Sequence, residues 1–133
     1  MPLDHIKVSE KAKDQLVKLK RITGIPHWNI LCRWALCVSL AEGSKPSPVK
    51  IPTDSSVDMT WKVFGGAYEE LYLALLKERC QRDGLGTSDE TLATKFRLHL
   101  HRGIAHLSSD KRLKSIADLV KRSPGSPAVD LVA

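Results

Sequence analysis

Apolar residues recur along the chain mostly at spacings of three and four, and stretches rich in Gly, Pro and Ser separate the runs, a pattern that predicts helices joined by loops. Residues 3–8, LDHIKV, alternate loosely and predict a short extended segment. Ser9 is suited to cap a first helix, because its hydroxyl can accept from a free first-turn amide. That helix should run to about Thr23 and stop at Gly24, with Ala12, Leu16 and Leu19 on its inner stripe. Pro26 fits the first turn of a second helix, His27 to Ala41, since its missing N–H is not needed there. Only His27, Asn29, Arg33 and Ser39 interrupt the apolar character of this helix. A helix apolar on every side must be covered on every side. A 133-residue chain has few elements to do it, so another copy is expected to cover part. Trp28, Leu31, Trp34, Leu36 and Val38 are the expected oligomer contacts.

Residues 43–60, with Pro46, Pro48 and Pro52, read as a long irregular connection. Trp61-Lys62-Val63-Phe64 before Gly65-Gly66 reads as a short buried segment ending in a flexible joint. A third helix follows with Tyr68, Leu71, Tyr72, Leu75 and Leu76 on its inner face, ending at Asp83-Gly84. Thr87 and Glu90 fit a capping box for a fourth helix, with Leu92, Phe96 and Leu100 inward, Lys95, His99 and Arg102 on another face, and Gly103 as its break. Ser109 or Asp110 then caps a fifth helix with Leu113, Ile116, Ala117 and Val120 at helical spacing. The fold class expected is therefore mainly α: a compact bundle of about five helices with a short N-terminal extended segment. Residues 1–122 form one domain, and 123–133, SPGSPAVDLVA, read as a loose tail.

Charge changes the picture more than composition does. The net charge of +6 divides into +4 over residues 1–34, −3 over 35–94 and +5 over 95–133. Two basic ends around an acidic middle favour an anionic partner, nucleic acid above all, through phosphate attraction. The first helix alone carries Lys11, Lys13, Lys18, Lys20 and Arg21. The turn Gly24-Ile25-Pro26-His27 offers free amides at a helix start, a seat for a phosphate beside Lys20 and Arg21. Lys7, Lys11, Lys13, Lys18, Lys20, Arg21 and His27 are the expected DNA-binding residues. No apolar run reaches the roughly 20 residues of a membrane span, and the start MPLDHIKVSEK has no secretory pattern, so no membrane partner and a cytoplasmic location are expected.

No catalytic residue, metal ligand or cofactor is expected. His99 and His101 are two apart on a helix and diverge, so with His106 they read as surface histidines. Cys32, Cys37 and Cys80 read as buried thiols in a reducing compartment. Gly65-Gly66 lacks the spacing of a phosphate loop. Glu69-Glu70 and Asp89-Glu90 read as helix-start charges, and Tyr68 and Tyr72 as core.

Three blocks then carry a likeness: HIKVSEKAKDQLVKLKRITGIPHWNILCRWALCVSLAE, MTWKVFGGAYEELYLALL and FRLHLHRGIAHL, which together resemble, in that order, the DndE family. The resemblance implies a cytoplasmic protein of bacterial DNA phosphorothioation, in which sulfur replaces a non-bridging phosphate oxygen. It also implies that partner subunits carry the sulfur chemistry: a cysteine desulfurase, an iron–sulfur ATP-dependent enzyme and an ATPase-like protein. The resemblance further implies a compact helical tetramer that prefers nicked double-stranded DNA, with a nicking activity attributed to such proteins. A second reading rests on residues 3–41, whose strand, helix, helix order is that of ribbon-helix-helix repressors, with His5 and Lys7 facing bases. A third is a protein-interaction scaffold with little DNA contact.

Overall fold

Ser9 accepts a hydrogen bond from Ala12 N at 3.1 Å and so starts α1, Glu10–Thr23. Gly24, left-handed at φ 73°, closes it by donating to the carbonyl of Lys20. The structure, a computed structural model, describes residues 4–122, so the predicted tail lies outside the described residues. α2 spans Trp28–Ala41 with His27 as its cap, which leaves Pro26 just before the helix and not inside it.

The extended segment is real and short. β1, His5–Lys7, pairs antiparallel with β2, Asp58–Thr60, placing His5 opposite Thr60, Ile6 opposite Met59 and Lys7 opposite Asp58. Backbone bonds between Val8 and both Val57 and Ser55 prolong the contact, so the end of the proline-rich connection is stitched to the N-terminus. A ribbon-helix-helix dimer needs that N-terminal strand for its second copy. Here β2 of the same chain takes one edge of it, a pairing that the ribbon-helix-helix reading does not include.

Thr60 caps a five-residue helix, α3, Trp61–Gly65, and a 3-10 turn over Gly66–Tyr68 leads into α4, Glu69–Arg82. The predicted flexible joint is thus a tight helical corner: the guanidinium of Arg33 donates to the carbonyls of Phe64 and Val63 and pins it. α5 runs over Asp89–Ser109 from its cap Ser88, one residue after the Thr87 expected. Gly103 does not break it. A Cβ there would collide with the carbonyl of Ala35, so glycine is what allows α2 and α5 to pack backbone to backbone. α6, Ile116–Arg122, begins later than expected and packs on α1, with Leu119 buried and Ile116 and Val120 left exposed.

α2 sits centrally, packed chiefly on α5 and also on α1, α3 and α4. Leu31, Cys32, Ala35 and Leu36 are buried there, and Trp61, Phe64 and Phe96 stack edge and face with centroids 5.2–5.4 Å apart. The single chain therefore encloses more of α2 than its composition suggested. Leu31 and Leu36, at 1% and 0% exposure, have no surface left to offer another copy. No helix among the described residues is long and apolar enough to cross a membrane.

Candidate nucleic-acid interface

Successive α1 residues are about 100° apart around its axis, and Ala12, Leu16, Leu19 and Thr23 mark the buried side. Four of its five cations consequently separate into two rows, with Arg21 between them on the outer side. Lys11 and Lys18 lie on the flank toward α5, and Lys13 and Lys20 on the flank toward β2 and α2.

Three of the expected DNA-binding residues are held by the chain itself. Lys18 Nζ donates to the carbonyl of Ser108 at 2.6 Å, at the negative end of α5. Lys13 Nζ donates to Ser56 Oγ at 2.8 Å. Lys20 Nζ sits 3.6 Å over the ring of Trp28. Lys7, Lys11, Arg21 and His27 are exposed, and their side chains have no polar partner among the described residues. His27 makes no side-chain bond to the first amides of α2. Reasoning from sequence missed Lys50 and Arg97, both exposed; the basic balance over 95–133 was the signal for Arg97.

Beside Lys11, a cleft of about 640 Å³ opens between the start of α1, the connection and α5, bordered by Lys50, His101 and Arg102. His101 is a strut here and not a surface group. Its Nδ1–H donates to the carbonyl of Arg97 at 2.7 Å, and its Nε2 accepts from the amide of Ser9 at 3.1 Å. That arrangement requires the neutral ring, and burial accordingly lowers its pKa.

His99 also departs from the surface reading, for it is buried and 2.8 Å from Ser39 Oγ. Arg102 Nε donates to that same hydroxyl at 2.8 Å, so Ser39 Oγ bridges Arg102 and His99. Burial first, then Arg102 and Arg79, push the His99 pKa down to about 4. Arg79 is itself buried. It donates to the carbonyls of Leu40, Glu42, Gly43 and Ser44 and pairs with Asp83 at 3.0 Å. Nothing in its neighbourhood, Glu78-Arg79-Cys80-Gln81-Arg82, distinguishes it from a surface helix cation.

These commitments bear on chemistry. Among the described residues no group of three or more His, Cys, Asp or Glu is placed to hold a metal. Burial pushes the Cys32 thiol up to about 12 and raises that of Cys80. Cys37, expected to be buried, is exposed.

Cys37 belongs to an apolar outer stripe of α2, Ile30, Trp34, Cys37 and Ala41, whose members are exposed or half-buried. Tyr68, Leu71 and Leu75 stand exposed on the neighbouring element, although the third helical stripe was expected to be core. Of that stripe only Leu76 is buried, with Tyr72 half-buried. A hollow of about 230 Å³, bordered by Cys37, Ala41 and Leu75, joins the two surfaces. Of the residues expected at an oligomer contact, Trp28, Trp34 and Val38 keep partial exposure.

No curated protein matches the chain. Among solved structures it is similar to DndE from Escherichia coli B7A, described as involved in DNA phosphorothioation modification, at 26% identity and a TM-score of 0.67, over 80% of this chain and 98% of that one. It shares the fold of a DndE mutant involved in DNA phosphorothioation, at 24% identity and a TM-score of 0.61, over 78% of this chain and 95% of that one. The model of the family described as DNA sulphur modification protein DndE matches residues 5–115, and the chain belongs to that family.

Proposed function

We propose that this chain is the DNA-contacting accessory subunit of a DNA phosphorothioation system. It binds double-stranded DNA, nicked DNA by preference, through backbone phosphates, and it does so as an oligomer, a tetramer by family resemblance. The observation that carries the reading is the set of exposed, unpartnered cations, Lys7, Lys11 and Arg21, on β1 and α1, with the exposed His27 beside them at the start of α2, in a chain of net charge +6. Cations without an acidic partner are free to replace the counterions of a duplex.

The sulfur chemistry is assigned to other subunits. Two of the thiols are buried and held protonated, and the central histidines are committed to structural bonds. The apolar face of Trp34, Cys37, Leu71 and Leu75 supports the oligomeric part of the reading, because contiguous exposed apolar surface marks a protein contact.

A gel-shift series on intact, nicked and single-stranded DNA of one sequence, repeated across salt concentrations, tests the reading. Affinity should fall steeply with salt and be highest for the nicked duplex. A Lys11→Glu, Arg21→Glu chain should bind less tightly, with the log–log salt slope reduced by about 0.9 for each phosphate no longer neutralised. Binding absent at low salt, or unaffected by salt, would instead favour a scaffold that touches only its partner subunits.

A further inference from the structure

We propose that the depression between β1 and α5 is a seat for one backbone phosphate, gripped jointly by Lys7 and Arg97. The inference rests on the DNA-binding reading above and adds to it a specific place and a residue from the far end of the sequence.

Lys7 ends β1 and Arg97 lies in the first half of α5, ninety positions later, yet both border one pocket of about 180 Å³. Both side chains are exposed, and neither has an ion pair or hydrogen bond among the described residues. The acid nearest in register, Asp58 opposite Lys7, is taken by His5, whose Nδ1 is 3.2 Å from Asp58 Oδ1. The other polar groups on the rim are His5 and the hydroxyl of Thr53, which is free to donate. Phe96 and Leu100 form the apolar wall.

Two positive groups held at one small concavity repel each other, and the low-dielectric wall sharpens the field they make. An anion between them relieves that repulsion. The guanidinium presents a planar fork matched to two phosphate oxygens, and the ammonium adds a point charge. A base is disfavoured as the occupant, because Phe96 is 2% exposed and offers no stacking platform. The backbone of Arg97 is steadied from behind, since its carbonyl accepts from His101 Nδ1 at 2.7 Å.

The test compares Lys7→Gln, Arg97→Gln and the double variant with the unaltered chain, by duplex affinity across salt concentrations. Both positions are exposed, so helical content and thermal midpoint should stay unchanged, and circular dichroism checks that they do. If one phosphate is shared, the remaining cation still neutralises it in either single variant, so each single weakens affinity with little change of slope, whereas the double variant lowers the log–log salt slope by about 0.9. Arg97→Lys, which keeps the charge but loses the fork, should retain the slope while weakening affinity. A slope falling by about 0.9 in each single and by twice that in the double, or an affinity and slope unchanged even in the double, would overturn the shared seat while leaving salt-dependent DNA binding intact. An unaltered chain that binds no DNA would overturn both readings together.

Discussion

At the end of α2 the carbonyls of Leu40, Glu42, Gly43 and Ser44 all face the guanidinium of Arg79. A buried charge is tolerated only when its donors are satisfied, and here four carbonyls and Asp83 do so. Arg102 adds bonds to the carbonyls of Ser39 and Ser44, completing a cap on a helix whose C-terminal residues include no basic side chain. His99 lies among these cations, and burial together with their charge disfavours a protonated ring. Its folded pKa, about 4, is below the ordinary 6.5, so the folded state binds fewer protons than the unfolded chain between those values. The stabilisation is full above pH 6.5 and drains away as pH falls toward 4. Urea unfolding at a series of pH values should show this loss. A His99→Asn chain, which keeps an acceptor without the titration, should show a shallower one, and an equally steep slope in that variant would refute the assignment.

Among the elements, α1 was the most legible, because its cap, its stop and its stripe are all local signals. α5 was half legible. Glycine disfavours helix in isolation, so Gly103 read as a break, whereas the reason for it is the backbone of Ala35 sixty-eight positions earlier. Gly103→Ala should therefore destabilise the fold by upwards of about 3 kcal/mol, the opposite of the gain that alanine brings to an ordinary helix position. Thermal or chemical unfolding decides it, and a neutral effect would mean that the two helices can move apart at little cost. α4 and α6 were misread for a related reason. Spacing identifies an apolar stripe but not whether the same chain covers it: Leu71 and Leu75 are left bare while Leu76 is buried.

At the scale of the whole molecule, a bundle of helices with a short N-terminal strand was legible, as was the basic character. Which cations stay free was not. Lys13, Lys18 and Lys20 differ from Lys11 and Arg21 only through Ser56, Ser108 and Trp28, and sequence spacing is blind to such partners. The inference of a second copy began from α2 as a whole; what the fold leaves uncovered is its outer stripe together with Leu71 and Leu75. On the proposed reading, Leu71→Glu should shift the chain to a smaller species in light scattering, with its helical signal retained. An unaltered mass would place the contact between copies elsewhere.

The close passage of Gly103 against Ala35 bears on how force travels through the protein. With the two backbones this close, no layer of side chains separates α5 from α2 at that point. A duplex tugging on Arg97 would carry α2 along, and with it the stripe of Trp34 and Cys37 on the outer side of the bundle. Under the proposed function, strain applied at the nucleic acid would reach the neighbouring copies as a rigid displacement, undamped by any compliant layer between.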